Sequence, residues 1–600
     1  VDLLAARGIA IDLDSLGLDD PAVYDLMQAG NTVGVFQLES EGMRRTLKAV
    51  KPTNFGDIIA LVSLYRPGPM DNIPLFGQRK AGEVPIEYPH PKLEGILSET
   101  YGIFVYQEQV MQAAQILAGY SLGDADLLRR AMGKKVQAEM DAQRGRFVEG
   151  CKAVSDIDAK RANELFDLID KFAGYGFNKS HAAAYALLSY QTAWLKAHYP
   201  EEFFAASMCF DLHQSEKLSV FVDDARRYPG IEGGVQLLPP CVNHSEGRFT
   251  VEQTEEGYAV RYALAGIRNV GEKAMEAIVA ERAKGGAFVS LKDFFERMPE
   301  GTINRRQLEG LICAGALDAL EPNRALLFAN VDRLMAVVDA AMRERSSGQV
   351  GLFGGENAPE EDLRLAPTEP WSRCEQMAKE RENFGFYFSA HPVQQYREIA
   401  SSHGARTYQS VMETGATGGG RSQVVLAAMV EGYTKARTRK GGEFVRADFS
   451  DLSGQFSAAC FEEALVPKFE EWAKSGECLL VTMELDSPSP GEPPRMTVRG
   501  ARPLASAGHA LPLELKADIA TIEALLELEI ALDAATLDRP KANGEVVVRL
   551  TLEDGEQVTV RLGRNFALSG ELAERLGEVP GISNVELTPV KSRPNLRLVA

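Results

Sequence analysis

The sequence predicts a multidomain protein in which α-helical regions come first and a β-barrel and a small α/β domain follow. Three observations support this prediction. At 600 residues the chain is too long for one hydrophobic core, and its length suggests about four domains. Helical apolar patterns dominate up to about residue 420. Residues 421–505 then alternate apolar and polar side chains between glycine turns, which is typical of short strands.

The composition is that of an ordinary globular protein, with 45% hydrophobic and 25% charged residues. The 7 cysteines are scattered without a C-x-x-C pair, which argues against a zinc site or a disulfide framework and favours a reducing compartment such as the cytoplasm. No apolar run reaches the ~18 residues of a transmembrane helix, and the start does not resemble a signal peptide. Because residue 1 is valine, we take the chain to be a fragment or to continue upstream.

The formal net charge of -20 does not by itself indicate a nucleic-acid binder. Charge is distributed unevenly, however, since residues 101–200 carry nearly equal numbers of cationic and acidic side chains. An acidic surface elsewhere can keep a local binding groove from attracting polyanions indiscriminately.

Residues 172–181 contain more candidate functional groups than any other stretch of the sequence. Gly174 and Gly176 alternate with aromatic residues that offer stacking faces, and four polar side chains follow at 178–181. The alanine- and leucine-rich run after them predicts a helix. Backbone N–H groups at a helix start, with a lysine and a hydroxyl beside them, suit a phosphate. The alternative is a glycine hinge that caps a buried helix.

A second stretch is strongly basic, with Arg129, Arg130, Lys134 and Lys135 within seven residues. In a helix Arg130 and Lys134 would be i,i+4 neighbours on one face. Like charges so placed are destabilising unless an anion lies between them. The alternative is a solvated basic face.

Several long motifs resemble one family, the alpha subunits of bacterial DNA polymerase III, which are the replicative C-family DNA polymerases. The resemblance runs through nearly the whole chain and weakens after about residue 500. The motifs that carry it are VFQLES at 35–40, LYRPGPM at 64–70, YGIFVYQEQVMQ at 101–112, LLRRAMGKK at 127–135 and FAGYGFNKSHAAAYALLSYQTAWLKAHYP at 172–200.

The resemblance implies the part of a DNA-templated polymerase from the end of the palm domain onward. The catalytic aspartates, with the Mg²⁺ that they hold, would belong to the palm upstream. We therefore expect no catalytic and no metal-binding residue in this chain. The D-x-D at Asp12 and Asp14 is interpreted as turn and cap residues, although such a pair on a strand can bind two metal ions.

The resemblance also implies roles for individual residues. Lysines and arginines would contact the phosphates of the incoming deoxynucleoside triphosphate (dNTP) or nearby DNA backbone: Arg66, Arg129, Arg130, Lys134, Lys135 and Lys179. Four others would line the sugar, base or phosphates: Asn178, Ser180, His181 and Tyr185. Arg66 lies in a stiff Arg-Pro-Gly-Pro loop, for which an ordinary surface turn is the alternative.

Two further segments predict contacts outside the nucleotide site. Gly266, Gly271 and Lys273 belong to a sequence that resembles a helix-hairpin-helix, whose turn would direct N–H groups at a DNA phosphate; a plain helical hairpin is the alternative. Gln349, Leu352 and Phe353 resemble the Q-x-x-L-F peptide with which this family binds the ring-shaped sliding clamp.

The strands of residues 421–505 predict a five-stranded barrel of the OB type. Four cations near one of its turns could follow single-stranded template backbone: Lys435, Arg437, Arg439 and Lys440. An ordinary basic hairpin is the alternative. Residues 506–600 predict an acidic helix, a strand pair across Asp554 and Gly555, a helix at 569–577 and a final strand, an α/β domain that in the family binds the clamp-loader subunit tau.

We therefore predict a connector, helical fingers, a helix-hairpin-helix region, a helical linker with the clamp peptide, an OB fold and an α/β domain, at 1–30, 31–235, 236–330, 331–420, 421–505 and 506–600. The predicted partners are primed template DNA, dNTPs, the sliding clamp, and possible contacts with tau and other holoenzyme subunits, without a membrane. The alternatives are a non-catalytic DNA- and clamp-binding scaffold and an error-prone polymerase of the same family, which tends to lack the clamp peptide.

Overall fold

The computed structural model divides into two compact units, Val1–Thr368 and Glu369–Ala600, which are described separately. It describes residues 1–134, 137–173, 176–231, 233–299, 301–347, 365–415, 420–437, 442–487, 495–509, 513–536, 544–551, 557–577 and 579–589.

The first unit is built from helices, with one small sheet. Its helices are α1 Asp2–Ala6, α2 Pro21–Gln28, α3 Glu41–Val50, α4 Phe55–Leu64, α5 Ile73–Lys80, α6 Glu94–Leu97, α7 Gln107–Ala118, α8 Leu122–Lys134, α9 Gln137–Ser155, α10 Ala159–Ala173, α11 Lys179–His198, α12 Pro200–Phe210, α13 Ser215–Arg226, α14 Glu272–Gly285, α15 Leu291–Arg297, α16 Arg305–Cys313, α17 Arg324–Ala329 and α18 Val331–Ser347. Its strands are β1 Leu237–Leu238, β2 Thr250–Thr254 and β3 Gly257–Arg261, in the order β1-β3-β2.

Local sequence sets many of these helix ends. Ser40 and Asn54 cap α3 and α4 by accepting from the backbone N–H three residues on. Gly119 ends α7 in the left-handed region at φ 67°, where glycine has no side-chain penalty. Asp12 and Asp20 also act as N-caps, and Asp12 accepts from the N–H of Asp14, so the D-x-D pair forms a capped turn as expected.

Helices α7 to α10 share one core, which includes Leu117, Leu128, Phe147 and Phe166. Helix α11 has 20 residues and packs against α2, α4 and α12. Its Tyr190 is fully buried and its Lys196 is enclosed as well. This packing holds the exposed N-terminal half of α11 in a fixed position.

The second unit carries a barrel and a sheet. Its helices are α19 Arg373–Phe384, α20 Arg397–Ser402, α21 Tyr408–Gly415, α22 Lys468–Ser475, α23 Leu504–His509, α24 Ile522–Thr536 and α25 Gly570–Gly577. Its strands are β4 Gly420–Arg437, β5 Glu443–Asp451, β6 Gly454–Cys460, β7 Cys478–Ser487, β8 Arg495–Pro503, β9 Leu513–Ile519, β10 Gly544–Thr551, β11 Gln557–Phe566 and β12 Ile582–Pro589. The predicted change from a helical to a β-rich region is confirmed.

Strands β4-β5-β6-β8-β7 close into a barrel in which β6 and β8 are parallel and the other pairs antiparallel. Alternate residues of the strands point inward and are buried, for example Leu426, Ala428 and Val430 of β4. Helix α22 lies between β6 and β7 in the chain and packs Phe469 and Trp472 onto this interior.

The C-terminal sheet has the order β11-β10-β9-β12, with β9 and β10 parallel. The predicted strand pair, the helix at 569–577 and the final strand are present, but strand β9 was missed. Its residues are mostly helix formers, and its apolar alternation covers only Leu513 to Ile519. Pairing with β10 on one side and β12 on the other makes it a strand.

The barrel and the C-terminal sheet share one core. Met429 and Leu480, on the outer side of the barrel, belong to the same buried cluster as Leu515 of β9 and Leu528 of α24. The predicted boundary between residues 505 and 506 thus runs through a region that folds around common apolar contacts.

His391 lies in a polar network beside the barrel, where it caps the turn that follows it. Its Nδ1 accepts from the Val393 N–H at 3.2 Å, so the proton is on Nε2, which donates to Ser450 Oγ at 2.8 Å. The Ser450 hydroxyl donates in turn to Glu431, which pairs with Arg381. Burial, and secondarily Arg381, lower the pKa of His391 to about 4.

The stability of the second unit is expected to fall between pH 7.5 and pH 5. An unfolded histidine takes up a proton near pH 6.5, whereas folded His391 does so only near 4, so the unfolded state binds more protons between these values. The free energy of unfolding should drop by about 2 kcal/mol, as measured by urea denaturation at both pH values. In His391→Asn, whose amide oxygen can still accept from Val393, this part of the pH dependence should vanish. An equal slope in that variant would contradict the assignment.

Within the portion of the chain that the structure describes, no helix is both long enough and apolar enough to cross a membrane.

Candidate functional site

The start of α11 is fixed against the start of α7 by backbone pairing. Tyr106 and Phe177 form a parallel β-bridge, with Gln107 N–H donating to Phe177 O at 2.9 Å and Phe177 N–H to Val105 O at 3.2 Å. The Gln107 side chain donates to Gly176 O at 3.0 Å. A Cβ on Gly176 would lie 3.1 Å from Gln107 Cγ, so glycine permits this close approach. The two helix N-termini therefore lie side by side.

Asn178 is the N-cap of α11. Its Oδ1 accepts from His181 N–H at 2.8 Å, while its Nδ2 donates to Glu108 Oε1 at 2.9 Å. The same Glu108 carboxylate accepts from Lys179 N–H at 3.1 and 3.2 Å. A carboxylate thus occupies the position for which the sequence analysis predicted a phosphate. Glu108 was missed as a site residue, although an acidic residue in the first turn of α7 was visible in the sequence.

Lys179 also contacts a carboxylate. Its Nζ donates to Glu99 Oε2 at 2.6 Å and to Oε1 at 2.8 Å, and lies 5.3 Å from the centre of the Tyr106 ring. The lysine side chain is 39% exposed and that of Glu99 48% exposed. The pair is therefore open to water and can exchange partners. Ser180 is exposed in the same turn.

An aromatic row continues from this point along α11, and we define it as Phe177, His181, Tyr185 and Phe36. Successive ring centroids are 5.5, 4.5 and 5.5 Å apart. The guanidinium of Arg66 lies over the Phe177 ring at 4.5 Å, and its Nε donates to Ser63 O. The row reaches solvent at His181 and Phe36. It offers planar faces for a base or sugar. Phe177 is one of the aromatic residues noted beside Gly176 in the sequence, whereas Phe36 was not predicted to join them.

The predicted basic helix is present as α8, and its arginines share one carboxylate. Asp126 accepts from Arg129 at 2.8 Å and from Arg130 at 2.8 Å. Hydrogen bonding from Arg129, aided by the nearby charge of Arg130, lowers the pKa of Asp126. The side chain of Lys134, and Lys135 altogether, lie outside the described residues.

The connection between α7 and α8 relates these arginines to α11. Only residues 119–121 separate the two helices, which pack together. Helices joined by so short a loop are antiparallel neighbours. We therefore expect the C-terminal turns of α8 to lie toward the end of the pair at which α7 begins, beside the start of α11.

The predicted glycine turn at residues 266–271 requires a correction. Gly266 is buried, and its N–H donates to Ala263 O at 3.1 Å, so it cannot contact DNA in this conformation. A Cβ there would lie 3.0 Å from the Tyr262 ring, so its role is close packing. Gly271 and Lys273 are exposed, which the DNA contact predicted for them requires. Arg268 and Asn269 are exposed beside them and were missed; Asn269 has a φ of 65° in the left-handed region.

The basic turn of the barrel is described only at its flanks. Lys435 lies 3.7 Å from Glu470 and Arg437 lies 3.6 Å from Glu443, whereas Arg439 and Lys440 lie outside the described residues. Directly after the turn, Phe444 stacks on Phe461 with 5.0 Å between ring centroids. Phe461 is 47% exposed. The pair was not predicted, and it is a stacking surface on the outside of the barrel.

The predicted clamp peptide, with Gln349, Leu352 and Phe353, also lies outside the described residues. Among the residues with a described placement, no group of three or more His, Cys, Asp or Glu could hold a metal ion.

Comparison with known proteins shows which proteins this chain resembles. A family model of the bacterial DNA polymerase III alpha subunit finger domain matches residues 1–155. A curated DNA polymerase III subunit alpha from Caulobacter vibrioides is 40% identical over 592 residues, covering 97% of this chain and 49% of that protein. The chain carries the finger domain of bacterial DNA polymerase III alpha subunits and is similar to these proteins over nearly its whole length.

Further relatives show the same similarity. The DNA polymerase III subunit alpha of Neisseria meningitidis serogroup B is 47% identical over 454 residues, with 75% of this chain and 37% of that protein covered. That of Thermus aquaticus is 46% identical over 478 residues, with 78% and 38% covered. A helix-hairpin-helix model matches residues 234–327, which contain Gly271 and Lys273. The chain thus spans from 37% to 49% of the length of these relatives.

Proposed function

We propose that the chain is the finger, helix-hairpin-helix and C-terminal part of a DNA-templated DNA polymerase. The whole enzyme would extend primer 3′ ends by nucleotidyl transfer during DNA replication. The observation that carries the proposal is the start of α11, which the bridge between Tyr106 and Phe177 fixes in place and where the aromatic row adjoins cationic side chains. The match to the finger-domain model supports the same conclusion.

The phosphates of the incoming dNTP are assigned to the basic residues around this point. Nucleotidyl transfer requires that the triphosphate charge be neutralised and that the α-phosphate be aligned with the primer 3′-hydroxyl. Arginine forks and lysine ammonium groups perform both tasks. The assigned residues are Arg66, Arg129, Arg130, Lys134, Lys135 and Lys179.

The sugar and base of the dNTP are assigned to the aromatic row, with Ser180 beside it. His181 and Tyr185 present adjacent planar faces, and stacking on them is compatible with any base. Asn178 was predicted to contact the nucleotide, but both ends of its amide are engaged, since Oδ1 accepts from the His181 N–H and Nδ2 donates to Glu108. Its contribution is therefore to hold His181 in place.

The proposal assigns Mg²⁺ to carboxylates of a palm domain upstream, as the family resemblance implies. When bound there, the metal would lower the pKa of the primer hydroxyl and neutralise phosphate charge.

Duplex DNA is assigned to the hairpin region and single-stranded template to the barrel. Exposed Gly271 and Lys273 can approach a phosphate without reading sequence. We assign the barrel to the OB fold for two reasons. Its five strands close with β6 and β8 parallel, and helix α22 lies between β6 and β7 in the chain. The Phe444–Phe461 stack then offers a base platform, and Lys435 and Arg437 offer phosphate contacts.

The clamp and tau remain proposals from the sequence. Gln349, Leu352 and Phe353 would bind a pocket on the sliding clamp, and residues 506–600 would contact tau or another subunit of the holoenzyme.

Changing Leu352→Ala together with Phe353→Ala should weaken clamp binding by about 2 kcal/mol or more, since apolar anchors dominate small interfaces. The dissociation constant can be measured with purified clamp. Gln394→Ala, which changes an exposed glutamine outside the peptide sequence, is the control and should leave the dissociation constant unchanged. Unaltered clamp binding by the double variant would refute the peptide assignment.

The nucleotide assignment is tested by the affinity of the chain for a primed template with and without the matching dNTP. Polymerase fingers should bind more tightly with the matching nucleotide than with a mismatched one. A non-catalytic scaffold would bind DNA equally in both conditions. If the matching dNTP does not increase the affinity, the measurement is repeated with the upstream region added. A gain that then appears means that the palm is needed to complete the pocket, whereas its continued absence favours the scaffold.

A further inference from the structure

The phosphate-binding groups that carry the proposed function are already matched by carboxylates of the chain itself. Lys179 Nζ is held by Glu99, and the N–H of Lys179 by Glu108. Arg129 and Arg130 are held together by Asp126. Lys179, Arg129 and Arg130 therefore each contact a carboxylate of the chain before any nucleotide binds.

We propose that Glu99, Glu108 and Asp126 are internal counter-ions, which the triphosphate displaces when it binds and which return as pyrophosphate leaves. The inference rests on the proposed function, and it adds three residues that act on substrate selection through the basic groups. They are positioning residues, since each touches a phosphate-binding group and not the substrate.

The two contacts of Lys179 are tertiary contacts, because the residues that form them are far apart in the sequence. Glu99 and Lys179 are separated by 80 residues, and Glu108 and Lys179 by 71. Glu108 lies on α7 and reaches the start of α11 only because the bridge between Tyr106 and Phe177 sets the two helices side by side. The tertiary structure thus brings carboxylates to the two groups at the start of α11 that suit a phosphate.

Exposure allows the exchange that the inference requires. The side chains of Arg130 and Glu99 are 61% and 48% exposed, so a displaced carboxylate remains hydrated. Exposed ion pairs of this kind are weak, and a doubly charged phosphate that contacts the same cation competes well with one carboxylate. An anion with few charges cannot displace all three carboxylates at once, so the arrangement favours a triphosphate over inorganic phosphate.

The test measures binding of inorganic tripolyphosphate and of orthophosphate to the full chain by isothermal titration calorimetry. Glu99→Gln, Glu108→Gln and Asp126→Asn keep the side-chain shape, and an amide oxygen can still accept one hydrogen bond. Each is expected to tighten tripolyphosphate binding about two- to fivefold, the value of one exposed pair. The preference for tripolyphosphate over orthophosphate should decrease. Glu164→Gln, which removes an exposed partner of Arg161 on α10, is the matched control and should change neither.

The outcomes separate this inference from the proposed function. If Lys179→Ala weakens tripolyphosphate binding but the three amide variants do not tighten it, the counter-ion inference is overturned and the nucleotide site stands. If the unchanged chain binds no tripolyphosphate, the proposed site itself fails, and the inference fails with it. If the amide variants lower the melting temperature and also weaken binding, the carboxylates are only structural, and the inference is again overturned.

Discussion

Replacing Arg129 and Arg130 together with alanine is expected to remove the gain in primed-template affinity that a matching dNTP provides. A charge-assisted hydrogen bond contributes about 1.5–3 kcal/mol, so losing one from each arginine should weaken nucleotide binding by about 100-fold or more. The loss leaves Asp126 without its two partners, and its charge then repels the triphosphate. The measurement is a dNTP titration of the complex of the chain with a primed template.

Two controls make this result specific. Lys160→Ala with Arg161→Ala removes two neighbouring cations from the exposed surface of α10 and should leave the dNTP response unchanged. Adding Asp126→Asn to the double variant should restore part of the lost affinity, because the unpaired carboxylate is neutralised. If the double variant keeps the full response to dNTP, these arginines do not bind the phosphates.

Asp224→Ala should destabilise the region around α11 by about 3 kcal/mol, the usual loss when one partner of a buried pair is removed. Lys196 is fully buried, and its Nζ donates to Asp224 Oδ2 at 2.7 Å and to Val33 O at 2.7 Å. Burial lowers the pKa of Lys196, and the charge of Asp224 opposes that effect. Without Asp224 the ammonium group would be enclosed near the Phe203 and Phe204 rings with no counter-ion.

Hydrogen exchange of the amides of residues 179–198, followed by mass spectrometry, reports this loss directly. Lys196→Met with Asp224→Ala should lose less than Asp224→Ala alone, because no buried charge remains. Asp211→Ala breaks an exposed pair with Lys217 and should have an effect below about 1 kcal/mol. If Asp224→Ala and Asp211→Ala reduced stability equally, the buried pair would stabilise the protein no more than the exposed pair does.

Much of the fold could be predicted because local patterns decide it. The helical pattern after residue 178 and the cap at Asn178 are local, and α11 begins where they indicate. The alternation of β4 to β8 likewise predicts the barrel strands. Strand β9 could not be found in this way, because its residues favour a helix and its partners lie up to 76 residues away, from Leu513 to Pro589.

The candidate site was predicted only in part. Motifs of the family supplied Lys179, His181 and Arg130, and these residues belong to α11 and α8 as expected. Glu99, Glu108 and Phe36 were missed because no local sequence pattern shows that they contact residues 179–185 in the folded protein. Gly266 was misassigned because a glycine pattern does not tell a glycine that faces solvent from one that packs against a tyrosine ring.

The sequence by itself determined the order of the regions, the helix caps, the barrel alternation and the family resemblance, since each depends on residues close together in the chain or on ordered motifs. Only the tertiary structure decided which charges meet. A side chain finds its partner through packing of whole helices, and the bridge between Tyr106 and Phe177 brings Glu108 to Lys179 across 71 residues. Which carboxylates pair with the basic groups of the site therefore depends on the tertiary structure.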